Sequence, residues 1–232
     1  MCGIVSYIGL DLPRNVFQGM LDNIQHRGPD ENGLVQYGNI GLGMTRLSII
    51  DLNGGSQPIY SLDKNFTIVY NGEIYNYKKL KIELEALGYV FQTQSDTEVF
   101  LNLYIEYGVK CLDKIEGMFT VTIYDKSKNQ LFVARDRLGV RPLYYWNDGL
   151  KYVFCSEIKS LKKLPNFKSE LNEKLISAYL SLRYVPGPET LLKKVFKFPA
   201  GHYAIVTLSS FEVTKYWNPY NIKKNLDITA EE

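Results

Sequence analysis

The sequence predicts an α+β fold in which helices cover antiparallel sheets, rather than a doubly wound βαβ fold. Strand patterns come first along the chain, helix patterns follow, and strand patterns then dominate the second half. The 232 residues are 45% hydrophobic and 22% charged, which is typical of a folded chain with a sizeable core. Tyrosine dominates the 13% of aromatic residues, and it suits strands that are wet on one face.

The first half of the chain begins with a strand and then a helix. Met1 to Gly9 is a β-branched apolar run, and Arg14 to Gln25 places apolar residues at helical spacing. Alternation around glycines from Gly33 to Asp51 predicts adjacent strands, with Leu47 to Ile50 as the last of them. Phe66 to Tyr70 predicts a further strand, at whose end Asn71-Gly72-Glu73 can point into a cleft.

The middle of the chain predicts two helices, and two hairpins follow. Leucines spaced over Tyr77 to Leu87 indicate a helix that stops at Gly88. Ser95 to Glu98 matches a capping box, so another helix begins there and ends near Gly108. The remaining elements are hairpins over Phe119–Ala134 and Leu143–Cys155, a helix over Leu171–Leu182 and a strand over Phe211–Trp217.

Composition excludes several classes of function. The 27 Lys and Arg nearly balance the 25 Asp and Glu, which gives no electrostatic case for binding nucleic acid or an anionic membrane. The three cysteines form no CxxC pair, so we expect neither a disulfide framework nor a zinc site. No apolar run approaches the ~20 residues that span a bilayer, and the first residues do not resemble a secretory signal. We therefore expect a cytoplasmic protein.

Cys2 is the most informative single residue. Removal of Met1 would place a thiol and a free α-amine on one residue. The α-amine has an unperturbed pKa of ~7.7–8.0, so near neutral pH it can act as a general base for the thiol. The alternative is that Cys2 only fills a small apolar slot at the start of a strand.

Three further sites carry groups that could bind a substrate. Asn71 and the Gly72 N–H are the two kinds of donor that hold an oxyanion, although Asn-Gly is also a common turn. Arg46 could clamp a carboxylate with two hydrogen bonds, or form a surface salt bridge. Asp96 is either a first-turn acid favoured by the helix dipole or a partner for an ammonium group.

Arginines are also concentrated in one loop. Arg135, Arg137 and Arg141 surround Asp136, which suggests either phosphate binding or an internal salt-bridged loop. No phosphate-binding loop and no dinucleotide-binding glycine motif is present.

Together these segments resemble one family, the class II glutamine amidotransferases, and within it the amidotransferase domain of glutamine-dependent asparagine synthetases. The matching segments follow the family's order along most of the chain: Met1-Cys2-Gly3-Ile4, His26-Arg27-Gly28-Pro29-Asp30, Arg46 to Asp51, Tyr70 to Asn76, Ser95-Asp96-Thr97-Glu98 and Arg135 to Tyr145.

The resemblance implies a fold and a set of site residues. The fold is the four-layer αββα sandwich of N-terminal nucleophile hydrolases. Cys2 would attack the glutamine amide, and Asn71 with the Gly72 N–H would hold the oxyanion. Glutamine itself would be bound by Arg46 at its α-carboxylate, by Glu73 and Asp96 at its α-ammonium, and by the backbone of Leu47, Ser48, Ile49 and Ile50. It implies no metal or cofactor in this domain.

The resemblance also predicts the domain organisation. Residues 1–220 would be the amidotransferase domain, and residues 221–232 a linker or the start of a C-terminal synthetase domain. That domain would use ATP and Mg²⁺ to activate the carboxylate of aspartate, and would act in cis or in trans. Two alternatives remain open: a sugar acid as the acceptor of ammonia, and a catalytically idle docking or regulatory module of the same fold. In either case the protein could form a homodimer.

Overall fold

The computed structural model describes residues 2–52 and 54–221. Its strands are β1 (Gly3–Ile8), β2 (Glu31–Tyr37), β3 (Ile40–Arg46), β4 (Ile59–Tyr60), β5 (Phe66–Ile74), β6 (Gly117–Asp125), β7 (Gln130–Arg135), β8 (Tyr144–Asp148), β9 (Lys151–Cys155), β10 (Val195–Lys197), β11 (His202–Val206) and β12 (Phe211–Lys215). Its α-helices are α1 (Arg14–Asp22), α2 (Tyr77–Ala86), α3 (Asp96–Tyr107), α4 (Cys111–Lys114) and α5 (Ile176–Leu182). Short 3₁₀ turns lie at Gln25–Arg27, Gly108–Lys110, Ile158–Lys163, Glu173–Leu175 and Pro219–Asn221.

The strands of the described chain form two six-stranded antiparallel sheets. The first has the order β10-β8-β9-β1-β3-β2, and the second has the order β12-β11-β7-β6-β5-β4. The amino-terminal strand β1 lies inside the first sheet, paired with β3 on one side and β9 on the other. Cys2 is therefore held at the end of a central strand.

Three apolar cores separate four layers. Helix α1 and the 3₁₀ turn at Ile158–Lys163 pack on the outer face of the first sheet, and α2 and α3 pack on the outer face of the second. The third core lies between the two sheets. Alternate residues of β5 follow this division, since Val69 belongs to the inner core and Tyr70 to the outer one. The predicted α+β sandwich with αββα layers is confirmed.

Two boundaries near the cleft differ from the sequence prediction. The strand predicted over Phe66–Tyr70 continues to Ile74, because β6 pairs with it through Gly117. Asn71-Gly72-Glu73 is thus part of a strand and not a turn. Leu47–Ile50 was predicted as a strand and is a loop, because the pairing of β3 with β2 ends at Arg46.

The remaining differences concern helices and short strands. The helix predicted over Leu171–Leu182 is reduced to a 3₁₀ turn and α5, and none of the residues of α5 is buried. Ser95 does cap α3, but its side chain accepts from the Thr97 N–H. The Glu98 carboxylate completes no capping box, because it accepts N–H groups of Gln92 and Thr93 instead. Strands β4, β10 and β11 had not been predicted.

No helix in the described ranges is long and apolar enough to cross a membrane. The predicted linker at residues 221–232 lies outside the described residues except for Asn221.

Candidate active site

A cleft opens where the amino terminus meets the edge of the second sheet. It collects all the predicted site residues except Ser48, whose backbone N–H donates to the Asp30 carboxylate at 2.8 Å. The cleft is lined by Cys2, Arg46, Leu47, Ile49, Ile50, Gly55, Gln57, Tyr70, Asn71, Gly72, Glu73, Ser95, Asp96, Thr97 and Arg141.

Cys2 presents its thiol to this cleft. The Sγ atom lies 3.4 Å from the Leu47 N, which donates to it, and 3.6 Å from the Leu47 carbonyl oxygen. Burial raises the pKa of this thiol, and the Leu47 N–H opposes the rise. Cys111 and Cys155 are fully buried, and burial raises the pKa of Cys155 to about 12. Among the three cysteines, Cys2 is therefore the one whose thiol is accessible from the cleft.

A chain of charged groups holds the main chain of Cys2 from behind. The Nε of Arg27 donates to the Cys2 carbonyl oxygen at 3.0 Å, and its Nη1 donates to Glu157 at 3.0 Å. Glu157 also contacts His26 at 2.9 Å and Lys159 at 3.1 Å. Burial alone would raise the pKa of Glu157, but these hydrogen bonds lower it to about 2. The sequence alone predicts no role for Glu157 or for Arg27.

Asn71 and Gly72 face the cleft from β5. Asn71 is almost fully buried, and its Nδ2 has no hydrogen-bond partner. The backbone N–H groups of Tyr70 and Ile74 are accepted by the Gln57 and Asp96 side chains. Because N–H direction alternates along a strand, the Gly72 N–H points to this same edge, where β4 has already ended. Two donors thus lie on the cleft side of β5.

Gly72 is also required by packing. A Cβ atom on this residue would overlap the carbonyl oxygen of Met118 and would lie 2.7 Å from the Phe119 Cα. Only glycine lets β5 approach β6 this closely at the cleft.

Arg46 is a buried ion-pair partner and not a surface one. Its side chain is 4% exposed, and its Nη1 donates to Glu31 at 2.8 Å. The Nη2 donates to the carbonyl oxygens of Ile50 at 3.1 Å and Asp51 at 2.7 Å. The guanidinium therefore ties β3 to the loop that follows it, and a ligand carboxylate would have to share or replace these acceptors.

Asp96 and Glu73 supply the negative charge of the cleft. Asp96 lies in the first turn of α3, as the dipole argument favours, and it also lines the cleft. Its Oδ2 accepts from the Tyr70 hydroxyl at 3.2 Å and from the Ile74 N at 3.1 Å. Burial raises the pKa of Asp96 despite these bonds. Glu73 is half-buried and lines the same cleft, so a cationic group is favoured in the part of the cleft that Glu73 and Asp96 line.

Gln57 and Arg141 line the cleft without having been predicted as site residues. Gln57 links the loop after β3 to the second sheet, since its Oε1 accepts from the Tyr70 N at 2.7 Å and its Nε2 donates to Thr97 at 3.1 Å. Arg141 enters from the loop between β7 and β8. No group of three or more potential metal ligands occurs in the described residues.

Comparison with known proteins relates the chain to one sequence family, described as glutamine amidotransferase domain, which matches residues 1–217. A putative glutamine-hydrolysing asparagine synthetase of Methanocaldococcus jannaschii is 38% identical over 240 residues, covering 94% of this chain and 46% of that protein. Asparagine synthetase 2 of Bacillus subtilis is 37% identical, covering 96% of this chain and 31% of its own length. The chain thus spans less than half the length of these relatives.

Solved structures agree on the fold. The glutamine phosphoribosylpyrophosphate amidotransferase of B. subtilis superposes with a TM-score of 0.71 at 20% identity, over 93% of this chain and 49% of that one. A class II domain protein of Silicibacter pomeroyi gives a TM-score of 0.52 at 13% identity, over 93% of this chain and 98% of that one. The family match and the fold lead to one conclusion: this chain belongs to the class II glutamine amidotransferase domain family.

Proposed function

We propose that the chain is the glutaminase part of an asparagine synthetase-like enzyme. One observation carries the proposal: the accessible Cys2 thiol and the Nδ2 of Asn71, which is buried and has no hydrogen-bond partner, line the same cleft. A nucleophile facing unpaired hydrogen-bond donors is the arrangement that acyl transfer needs. The names of the relatives support the choice of glutamine as substrate.

The first half of the reaction forms a thioester. After removal of Met1, the α-amine of Cys2 takes the thiol proton, and the sulfur attacks the side-chain amide carbon of glutamine. The oxyanion accepts hydrogen bonds from Asn71 Nδ2 and the Gly72 N–H. The protonated amine then gives its proton to the leaving nitrogen, the C–N bond breaks, and ammonia departs.

The second half of the reaction regenerates the thiol. Water attacks the thioester carbon while the amine of Cys2 accepts a proton from it. The C–S bond then breaks, the amine returns the proton to sulfur, and glutamate is released. The same two donors stabilise both tetrahedral intermediates, so one pocket serves both steps.

Glutamine binding uses the charges at the other end of the cleft. Glu73 and Asp96 bind the α-ammonium, and Arg46 binds the α-carboxylate while the loop at Leu47–Ile50 lines the pocket. The Arg46 guanidinium already bonds Glu31 and two carbonyl oxygens. Binding therefore exchanges at least one of these contacts for the substrate carboxylate.

The acceptor of ammonia lies outside the described chain. The relatives named asparagine synthetases are two to three times as long as the matched segment. We infer that a synthetase domain, in cis or in trans, activates aspartate with ATP and Mg²⁺ and receives the ammonia. The glutaminase steps described above, on the amidotransferase domain, use no cofactor.

The test combines intact mass with a glutaminase assay on one sample. Protein that has lost Met1 should release glutamate from glutamine, and protein that retains it should not. Cys2→Ala should abolish release without changing the fold, because little volume is lost. Cys111→Ala is the matched control, since Cys111 is buried in the core beneath α3. Processed protein that binds glutamine but releases no glutamate would refute the mechanism and favour a docking module.

A further inference from the structure

The arginine-rich loop after β7 is not salt-bridged, contrary to one sequence interpretation. Within the described chain no ion pair of Asp136 lies inside 4.0 Å. Its carboxylate instead accepts the backbone N–H groups of Leu138 at 3.1 Å, Val140 at 3.0 Å and Arg141 at 3.0 Å. The Arg135 side chain donates to three backbone carbonyl oxygens, those of Gly139, Arg141 and Phe198. The loop conformation is thus fixed without using the Arg141 side chain.

The same carboxylate places Arg141 next to the proposed oxyanion donors. Asp136 Oδ2 accepts from the N–H of Phe119 at 3.2 Å as well as from Arg141. Phe119 is the residue opposite Gly72 in the pairing of β5 with β6. The backbone of Arg141 is therefore joined through a single carboxylate to the strand beside Gly72.

The Arg141 guanidinium is a buried cation without a counter-ion. The residue is 7% exposed and lines the cleft with Cys2 and Asn71. Its Nε is buried and has no hydrogen-bond partner, and no carboxylate of the described residues lies within 4.0 Å of the guanidinium. Arg46, the other cation of the cleft, is paired with Glu31 at 2.8 Å. A buried, unpaired charge is costly, so a bound anion at this position is strongly favoured.

We propose that Arg141 binds the negative charge that forms at the amide end of the substrate, and in particular the γ-carboxylate of the glutamate product. This inference rests on the proposed function, because hydrolysis turns a neutral amide into a carboxylate beside Cys2. Arg141 is then a further residue in contact with the ligand, and its charge discriminates the anionic glutamate side chain from the neutral glutamine side chain. The Arg141 charge also opposes the rise that burial causes in the pKa of the Cys2 thiol.

The test compares glutamate with glutamine, which differ only at the group in question. Calorimetric titrations are made in the Cys2→Ala background, so neither ligand is turned over. Arg141→Met should weaken the binding of glutamate by about tenfold or more, because a buried charge pair loses one partner. Glutamine affinity should stay within about twofold, and Arg141→Lys should recover part of the glutamate affinity.

Arg137→Met is the matched control from the same loop. Arg137 is outside the cleft lining, and its Nη2 makes only a long contact of 3.5 Å with the Asp113 carbonyl oxygen. It should leave both affinities unchanged. If Arg141→Met lowers the affinities for glutamate and glutamine equally, or changes neither affinity, the inference is overturned.

A readout that needs no ligand separates this inference from the proposed function. In protein that retains Cys2, the rate of iodoacetamide alkylation is followed by intact mass across a pH series. Arg141→Met should move the midpoint to higher pH, because a cation favours the thiolate. An unchanged midpoint counts against Arg141 facing the reacting group. A protein that alkylates and binds as expected but releases no glutamate refutes the glutaminase proposal alone.

Discussion

Replacing Asn71 by leucine should destroy activity while stabilising the fold. The Nδ2 of Asn71 is buried and has no hydrogen-bond partner, and an unsatisfied buried donor costs about 1–3 kcal/mol. Leucine has the same branched skeleton of heavy atoms as asparagine and carries no polar atom, so Asn71→Leu removes that cost. For a chain of this length, a gain of about 1 kcal/mol corresponds to a rise in Tm of about 2–4 °C.

The activity of the same variant should fall sharply. The amide is one of two donors assigned to the oxyanion, and removing one such donor costs about 10²–10³ in kcat. KM for glutamine should change little, because the α-carboxylate and α-ammonium contacts lie elsewhere in the cleft. Glutamate release over a range of glutamine concentrations, together with a thermal melt of the same sample, measures both effects.

Asn76 provides the matched control because its amide is fully used. Its Nδ2 donates to the Lys114 carbonyl oxygen at 2.9 Å, and its Oδ1 accepts from the Glu116 N at 3.1 Å. Asn76→Leu should therefore lower the Tm and leave kcat unchanged, which is the opposite pattern. A less stable Asn71→Leu protein that keeps its kcat would refute the assignment of Asn71 as an unpaired catalytic donor.

Three further substitutions test packing and ionisation. Gly72→Ala should lower the yield of folded protein and its Tm, because the added Cβ overlaps the Met118 carbonyl oxygen; a normal melt would contradict this. Asp96→Asn should be more stable than the parent in urea at pH 7, since burial raises the Asp96 pKa, and the difference should vanish below the ordinary value of 3.8; an equal stability at pH 7 argues against it. Glu157→Gln should be less stable above pH 4.5, with the loss disappearing as pH falls toward 2, because the folded-state pKa of Glu157 is lowered to about 2; a pH-independent difference would exclude this cause.

The sequence alone predicts a cleft residue when both its type and its place along the chain point to the same role. Cys2 stands out because position two can become an amino terminus, and Asp96 because it follows a helix N-cap. Asn71 had a local alternative, the Asn-Gly turn, and the structure removes it by extending β5 to Ile74. Family resemblance brought these separate signals together, and in the structure all of these residues except Ser48 line one cleft.

The support of Cys2 could not be predicted, because it depends on long-range pairing. Arg27 and Glu157 are 130 positions apart, and they meet only because β9 pairs with β1. The local pattern also predicts a strand over Leu47–Ile50, because its residues are mostly apolar, whereas this segment is a loop. There the Leu47 N–H donates to Cys2 Sγ and the Ser48 N–H to Asp30, so neither is available for a sheet ladder.

The polar groups left unpaired in the cleft indicate the charge of the bound state. Buried donors and cations without partners are destabilising, and they persist where a ligand satisfies them. Asn71 Nδ2 and Arg141 Nε are two such groups, and both residues line the cleft with Cys2. Both are donors, and neither has an acceptor among the described residues. The ligand state that they favour most is therefore anionic at the end near Cys2, as in the tetrahedral intermediates and in glutamate, whereas glutamine offers only a neutral carbonyl oxygen there.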